Sequence, residues 1–344
     1  MKYIKKVIGI DISKDTFKAR FGVLDNNHKQ TISNKSFTFT NEKKGFHKFL
    51  QAICNVSIFK NAEDDDSNVP VWFVIEATGV YYENLAYFLL EKKYLVTVLL
   101  PTKVKHFAKT LTIKSKTDAL DAAMLTQYGL EKELIPWNVP SLIMKELKEL
   151  SREYQNLVDT TTQIKNKIHA KKYSFKPCPE TLKRLEQQLN FYKKLIKQVK
   201  KQIQEVIDSD KDLKTRISNI LTIKGVNIIT IVNLVGETNG FALVKNNKQL
   251  TSYAGYDIVF DDSGKHVGKT RISKKGNHFI RKALYFPALS AARWNDNLKA
   301  FYKRLCIKKI HKKIAITAVA RKLLILIYTL WKKNEKFDPH FNNI

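Results

Sequence analysis

The stretch from Ile143 to Val206 constrains the fold most. Ile143, Leu147, Leu150, Tyr154, Leu157, Thr161, Ile164 and Ile168 alternate in steps of four and three. After an interruption at Lys171–Pro179, the alternation resumes through Leu182, Leu185, Leu189, Tyr192, Ile196, Val199, Ile203 and Val206. Spacing of this kind lays one apolar seam along a helix, and its persistence over several heptads argues a coiled coil. The short Pro-containing joint favours two antiparallel helices. Pairing within one chain and pairing between chains both satisfy the pattern. A helical spacer is the plain role for residues 139–212, and dimerisation the sharper one.

Before this region the pattern is α/β. Strand-like runs fall at 4–11, 17–24 and 29–39, a helix at about 41–55, a strand at 69–76, a helix at 80–92 and a strand at 94–100. Helices at about 102–109 and 117–130 complete a first domain, 1–138. Three successive strands, then strands alternating with helices, suggest an RNase H-like order. Asp11 ends the first strand and Glu76 the fourth, while Asp118 and Asp121 sit three apart on one helix face. Strand-end acids facing helix acids make an oxygen cage suited to a hard divalent cation such as Mg²⁺. Two such ions can activate a nucleophile and stabilise the leaving oxygen of a phosphodiester. Taken singly, each acid reads equally as a solvated or capping residue. The acidic run Glu63-Asp64-Asp65-Asp66 lacks calcium-loop spacing and reads as a solvated loop.

Charge narrows the partner. The formal net charge is +29, and residues 213–344 hold 25 Lys+Arg against 7 Asp+Glu, a net of +18. A basic surface on this scale points to nucleic acid. Cys54, Cys178 and Cys306 form no metal-spaced pair and read as free thiols in a reducing cytosol. No signal peptide is expected after Met1, and the longest apolar run, Leu323 to Trp331, is too short to span a bilayer. A soluble cytoplasmic protein without a membrane partner is the expectation.

The last segment, 213–344, reads as mainly helical. Lys224-Gly225-Val226-Asn227 before an apolar helix resembles a helix-hairpin-helix turn, whose backbone N–H groups grip a phosphate. Asn227 stands where the second glycine belongs, and an ordinary helical corner is the alternative. Further on, Lys265, Lys269, Arg271, Lys274, Lys275, Asn277, Arg281 and Lys282 surround Ser273 with phosphate-binding groups. Cations there would stabilise a five-coordinate phosphorus, and the serine could attack it. On the residues alone, Ser273 as the N-cap of a helix starting near Lys274 is the favoured alternative. No general base for Ser273 is evident nearby.

These motifs together resemble the DEDD transposases of the insertion-sequence 110 family, related to the Piv/MooV site-specific DNA invertases. The resemblance rests on Gly9-Ile10-Asp11-Ile12-Ser13-Lys14, Glu76-Ala77-Thr78-Gly79-Val80-Tyr81 and Lys116-Thr117-Asp118-Ala119-Leu120-Asp121-Ala122. Tyr253-Ala254-Gly255, Ser263-Gly264-Lys265 and Ile272-Ser273-Lys274-Lys275-Gly276-Asn277 extend it through the C-terminal segment. It implies a RuvC-like domain whose Asp11, Glu76, Asp118 and Asp121 bind one or two Mg²⁺ ions, and a transposase domain whose nucleophile is Ser273. Strand exchange would pass through a 5′-phosphoserine, in a homodimer or homotetramer acting on double-stranded DNA. A non-coding bridge RNA is implied as guide, leaving the protein to read backbone and shape. The rival readings are a RuvC-like Mg-dependent structure-specific nuclease with no covalent serine step, and a non-catalytic nucleic-acid-binding protein.

Overall fold

A computed structural model describes residues 2–55, 69–111, 118–260, 262–263, 266–268, 271–307 and 311–339. Lys265, Lys269, Gly264, Lys116-Thr117 and the acidic run at 63–66 lie outside the described residues. The chain divides into an N-terminal unit, Met1–Trp137, and a C-terminal unit, Asn138–Ile344.

Strand β1, Tyr3–Ile12, turns back through Ser13 into antiparallel β2, Thr16–Asp25. The single strand expected over 29–39 is two strands, β3, Gln30–Ile32, and β4, Phe37–Thr40, both paired to β2. The break is at Ser33, whose carbonyl is held by Arg20 Nη1 at 2.6 Å and whose hydroxyl donates to Lys35 O at 3.1 Å. Beyond these, β5, Val71–Glu76, runs parallel to β1, and β6, Leu95–Leu99, parallel to β5. The path through the sheet is β3-β2-β1-β5-β6, with β4 beside β2.

Alternation along the strands separates two apolar layers. Ile8, Ile10, Ile12, Phe73 and Ile75 pack with α1, Lys43–Asn55, and with α2, Glu83–Glu91. Val7 and Val74 pack on the other face with α3, Pro101–Thr110, and α4, Asp118–Glu131.

In the C-terminal unit the long apolar period forms α5, Leu142–Lys172, and α6, Pro179–Ser209. They pack side by side and antiparallel: Lys200 lies over the Tyr154 ring, while Lys172 meets Glu186 near the joint. Seam residues Leu147, Leu150, Leu157, Val199 and Ile203, with Ile207 just beyond them, belong to the same core as the helices that follow. Those are α7, Lys211–Ile220, α8, Ile228–Thr238, α9, Asn247–Tyr253, α10, His278–Trp294, α11, Asp296–Ile307, and α12, Lys312–Lys333.

The segment is not wholly helical. Strand β7, Ile258–Val259, pairs with β10, Arg271–Ile272, and β8, Asp262–Ser263, pairs with β9, His266–Val267. Helix α12 extends beyond the apolar run 323–331 and is long and apolar enough, by composition, to cross a membrane. Leu323, Leu324 and Ile327 are nonetheless fully buried in the protein core, as befits a central core helix.

Candidate active site

Register brings the N-terminal acids to one edge. Ile10 pairs with Ile75, so the next residues along the parallel strands are Asp11 and Glu76. Each lies two positions beyond a residue facing α4: Val7 and Gly9 precede Asp11, and Val74 precedes Glu76. Side-chain alternation therefore directs both carboxylates to the α4 face. Helix α4 crosses that face closely, with the Gly9 N–H donating to Thr126 Oγ1 at 3.1 Å. A Cβ on Gly9 would collide with the backbone of Ala122 and Thr126, and one on Gly129 with Val7. The crossing thus runs from Val7 against Gly129 to Gly9 against Ala122, so the next step toward Asp11 reaches the first turn of α4. That turn carries Asp118 and Asp121. A helix N-terminus favours negative charge, which eases the gathering of acids there.

One cation already serves this edge. Lys18 lies opposite Asp11 in the β1–β2 register, and its Nζ bonds Asp118 Oδ2 at 3.1 Å. The hairpin turn at Ser13 predicts that pairing, so the lysine is within reach of sequence reasoning. As placed, no three His, Cys, Asp or Glu side chains among the described residues form a group able to hold a metal ion. The donors of the edge are all carboxylate oxygens, a hard-ion set.

The serine sits in a different construction. Residues 273–277 run back along 253–257, extending the β7–β10 ladder. Ser273 N–H donates to Asp257 O at 2.8 Å, Lys274 N–H to Gly255 O at 3.1 Å, and Asn277 N–H to Tyr253 O at 2.7 Å. Close approach explains two glycines: Gly255 has φ +72°, and a Cβ on Gly276 would strike the backbone of Gly255 and Tyr253. Lys274 itself is left-handed at φ +54°, an uncommon conformation for a residue with a side chain. The Ser273 hydroxyl donates to Asp257 Oδ1 at 2.7 Å and accepts from Lys275 N–H at 3.3 Å.

Several sequence expectations change here. Helix α10 begins at His278, not near Lys274, and its N-cap is Asn277, which accepts from Phe279 N and Ile280 N. Ser273 is therefore free of the capping role. Asn277 also donates to the buried Glu237 at 2.6 Å, so its side chain serves the fold rather than a phosphate. Glu237 in turn holds Arg152 through Nε at 2.5 Å and Nη2 at 2.9 Å. Arg281 donates to Ala254 O at 2.7 Å, and Lys282 pairs with Asp159. Arg281 thus braces the loop, and Lys282 ties α10 to α5. Lys274, Lys275 and Arg271 remain exposed around Ser273.

The hairpin turn is built on Gly225 rather than on Asn227. Gly225, at φ +97°, packs on the backbone of Ser290 and Ala291 and supplies the left-handed position. Asn227 is extended at φ −118° and caps α8 by accepting from Thr230 N at 2.9 Å. Lys224 beside it is exposed. Sequence reasoning missed Asp257, which lies two residues past the Tyr253-Ala254-Gly255 motif and meets Ser273 only through the ladder.

Next to the serine loop is a cavity of about 390 Å³, lined by Tyr256, Ile258, Arg271 and Ile272 with Ile314 and Arg321 of α12. Burial pushes the Tyr256 phenol well above its ordinary range, with Arg281 opposing.

Residues 8–171 match the IS110-type DEDD transposases, and residues 217–303 the transposases of the IS116/IS110/IS902 family. The chain belongs to this family of DNA transposases and recombinases, and the sheet is its RNase H-like domain. It is 29% identical to the pilin gene-inverting proteins of Moraxella lacunata and Moraxella bovis over 346 residues, covering 98% of this chain and 99% of each of theirs. The Ppx/GppA family protein of Aquifex aeolicus aligns over 96% of this chain and 92% of its own, at 11% identity and a TM-score of 0.21, too distant to inform the fold.

Proposed function

We propose that the chain cuts and rejoins DNA with Ser273 as the nucleophile, supported by Mg²⁺ at Asp11, Glu76, Asp118 and Asp121. The observation that carries the reading is the Ser273 hydroxyl: it is relieved of capping, fixed by backbone pairing, and ringed by exposed Arg271, Lys274 and Lys275. Those cations grip the scissile phosphate and offset charge developing on it. Lys224, Lys265 and Lys269 extend the phosphate-binding surface, while Asn277 and Arg281 act indirectly by holding the loop and Lys282 by holding α10.

The carboxylate edge fits Mg²⁺ in donor chemistry, and the Lys18 ammonium against Asp118 marks it as a place where positive charge is accommodated. Ion binding requires the carboxylates to rotate together and Lys18 to yield Asp118. When bound, the ion supplies Lewis-acid polarisation of the phosphate. The sheet and α4 hold the donors, and the serine loop supplies the attacking oxygen and the basic grip.

The product of attack is a 5′-phosphoserine, later resolved by a DNA 3′ hydroxyl. Residues 1–138, 139–212 and 213–344 are assigned to metal binding, spacing and strand exchange. The α5–α6 pair serves as a coiled coil that also joins copies into a homodimer or homotetramer. A bridge RNA directs the enzyme to its DNA sites, in keeping with a basic surface that reads backbone and shape. Work in the cytoplasm, without a membrane partner, follows from that substrate.

A denaturing gel decides between this reading and a plain nuclease. Wild-type protein and end-labelled element DNA should give a protein–DNA adduct that Ser273→Ala abolishes. A Ser273→Ala variant that cuts DNA as well as wild type would leave the RuvC-like nuclease as the function.

A further inference from the structure

We propose that Asp257 is the catalytic proton acceptor for Ser273. The inference rests on the serine acting as nucleophile and adds the group that activates it. A general base must lie within hydrogen-bond reach of the proton it removes, and the Ser273 hydroxyl donates to Asp257 Oδ1 at 2.7 Å. Their backbones are locked as well, by Ser273 N–H to Asp257 O at 2.8 Å. The two residues are thus cross-ladder partners whose separation cannot drift without breaking the β7–β10 extension.

The direction of the bond matters. An ionised carboxylate only accepts, and a serine hydroxyl has one proton. That proton is committed to Asp257, which leaves the oxygen's lone pairs for phosphorus and for Lys275 N–H at 3.3 Å. The bond to Asp257 is neither a cap nor a turn bond: Asn277 caps α10, and the local turn is closed by Lys275 N–H on the serine oxygen. Electrostatics favour the same role. A phosphate gripped by Arg271, Lys274 and Lys275 would repel a carboxylate beside it. Taking the serine proton neutralises Asp257 as charge builds on the phosphate.

The step balances. The Oγ–H proton passes to Asp257, the Oγ–P bond forms, and the P–O3′ bond breaks. The 3′ oxygen leaves with the bonding pair and takes a proton from water. In the rejoining step a 3′ hydroxyl attacks and gives its proton to water, the O3′–P bond forms, the Oγ–P bond breaks, and Asp257 returns its proton to Ser273.

Asp257→Asn tests the idea, since its Oδ1 can still accept the serine hydrogen bond but cannot take the proton. Adduct formation should slow by about 10²–10⁴-fold, while DNA affinity stays level or tightens. The wild-type rate should rise with pH along an acid limb, and Asp257→Asn should lower its slope by one proton, the remainder coming from protonation of Asp11, Glu76, Asp118 and Asp121. Asp257→Glu should recover part of the rate. The charged and titratable neighbours are Arg271, Lys274 and Lys275 on the loop, Tyr256 beside it, and Arg281 and Arg321 from α10 and α12. His278, which opens α10, is a second ionisable candidate, so His278→Gln must keep the acid limb. An Asp257→Asn rate within a few-fold of wild type, with the limb intact, overturns the proposal. If Asp257→Asn does not fold, a wild-type profile with no acid limb, or one that vanishes in His278→Gln, overturns it instead. An adduct that persists in Ser273→Ala defeats the nucleophile reading. Loss in Ser273→Ala with a normal Asp257→Asn defeats only the base.

Discussion

The carboxylate edge and the serine loop are prepared for chemistry in opposite ways. Asp11, Glu76 and Asp118 come from β1, β5 and α4 and are brought to one edge by sheet register and one tight helix crossing. The Lys18–Asp118 pair among them is exposed, with side chains 32% and 69% accessible, so it contributes about 0–1 kcal/mol. The acids are thus placed by the scaffold, and their mutual repulsion makes the edge receptive to a cation. The serine loop, by contrast, is assembled within residues 253–277, and both amide and hydroxyl of Ser273 are satisfied by Asp257 without any ligand. On the proposed reading, one site waits for an ion, and the other is organised in advance. The sharpest test removes one acid. Asp118→Asn should cut strand cleavage on the order of 10²-fold or more, with DNA affinity, read by filter binding, close to wild type. A parallel collapse of affinity would mean that the edge holds DNA rather than metal.

The second test attacks the scaffold itself. Gly9→Ala forces a methyl group into the α4 backbone, so the acids lose their shared face. Overpacking of this kind costs about 2–3 kcal/mol. Hydrogen exchange should show the loss in β1, β5 and α4, with protection in α8, α10 and α12 unchanged. Equal loss in both units would show that they unfold together and would blur the contrast.

That contrast also tracks what the sequence discloses. The positions of the acids were legible because β1 and β5 are buried strands with Asp11 one residue from the end of one and Glu76 at the end of the other, and the Asp118/Asp121 spacing needs only a helix. The α5–α6 seam was legible for the same reason: Leu147, Leu150 and Leu157 repeat with the helical period and are buried. The serine loop has no such period. Its strands, β7 and β10, are two residues each, so nothing local announces that Asp257 faces Ser273. Asn277, Arg281 and Lys282 looked like phosphate ligands because capping and bracing use the same polar types. Their partners Glu237 and Asp159 lie 40 and 123 residues away from Asn277 and Lys282. The split of 29–39 escaped because one serine hydrogen bond ends the strand.

Basic pH should separate the two units by sign. Burial raises the Tyr256 phenol, so in the folded protein it keeps its proton above pH 10.0, where the unfolded chain releases it. The unfolded state then binds fewer protons, and stability falls as pH climbs past 10, by up to about 1.4 kcal/mol per pH unit. Burial lowers Lys5 from its ordinary 10.5, with Glu133 opposing. The unfolded state binds more protons there, so the N-terminal unit gains stability over the interval up to pH 10.5. Denaturant melts from pH 9 to 11 should show the C-terminal unit weakening, and Tyr256→Phe should flatten its slope. Tyr253, also raised by burial, leaves a remainder. An unchanged slope in Tyr256→Phe would mean that its phenol is already solvated in the folded state.

The smallest effect concerns the cations that distinguish the serine loop from the acid edge. Lys274 and Lys275 are exposed and have no acidic partner in the salt bridges of the described residues, unlike Lys282, which is held by Asp159. Replacing both with Ala should reduce the slope of log affinity against log salt by about 0.9 for each phosphate no longer neutralised. Lys282→Ala should leave that slope alone and instead loosen α10 from α5, because its charge is already neutralised. Fluorescence titrations over a range of salt concentrations read both variants. An equal change in slope for Lys282→Ala and for the lysine pair would show that bracing and phosphate-binding cations are not distinct. The division between a pre-built serine loop and its exposed basic rim would then fail. A change confined to Lys274 and Lys275 places the DNA backbone within reach of Ser273, on the exposed side of the ladder, where the hydroxyl's lone pairs are not committed to Asp257.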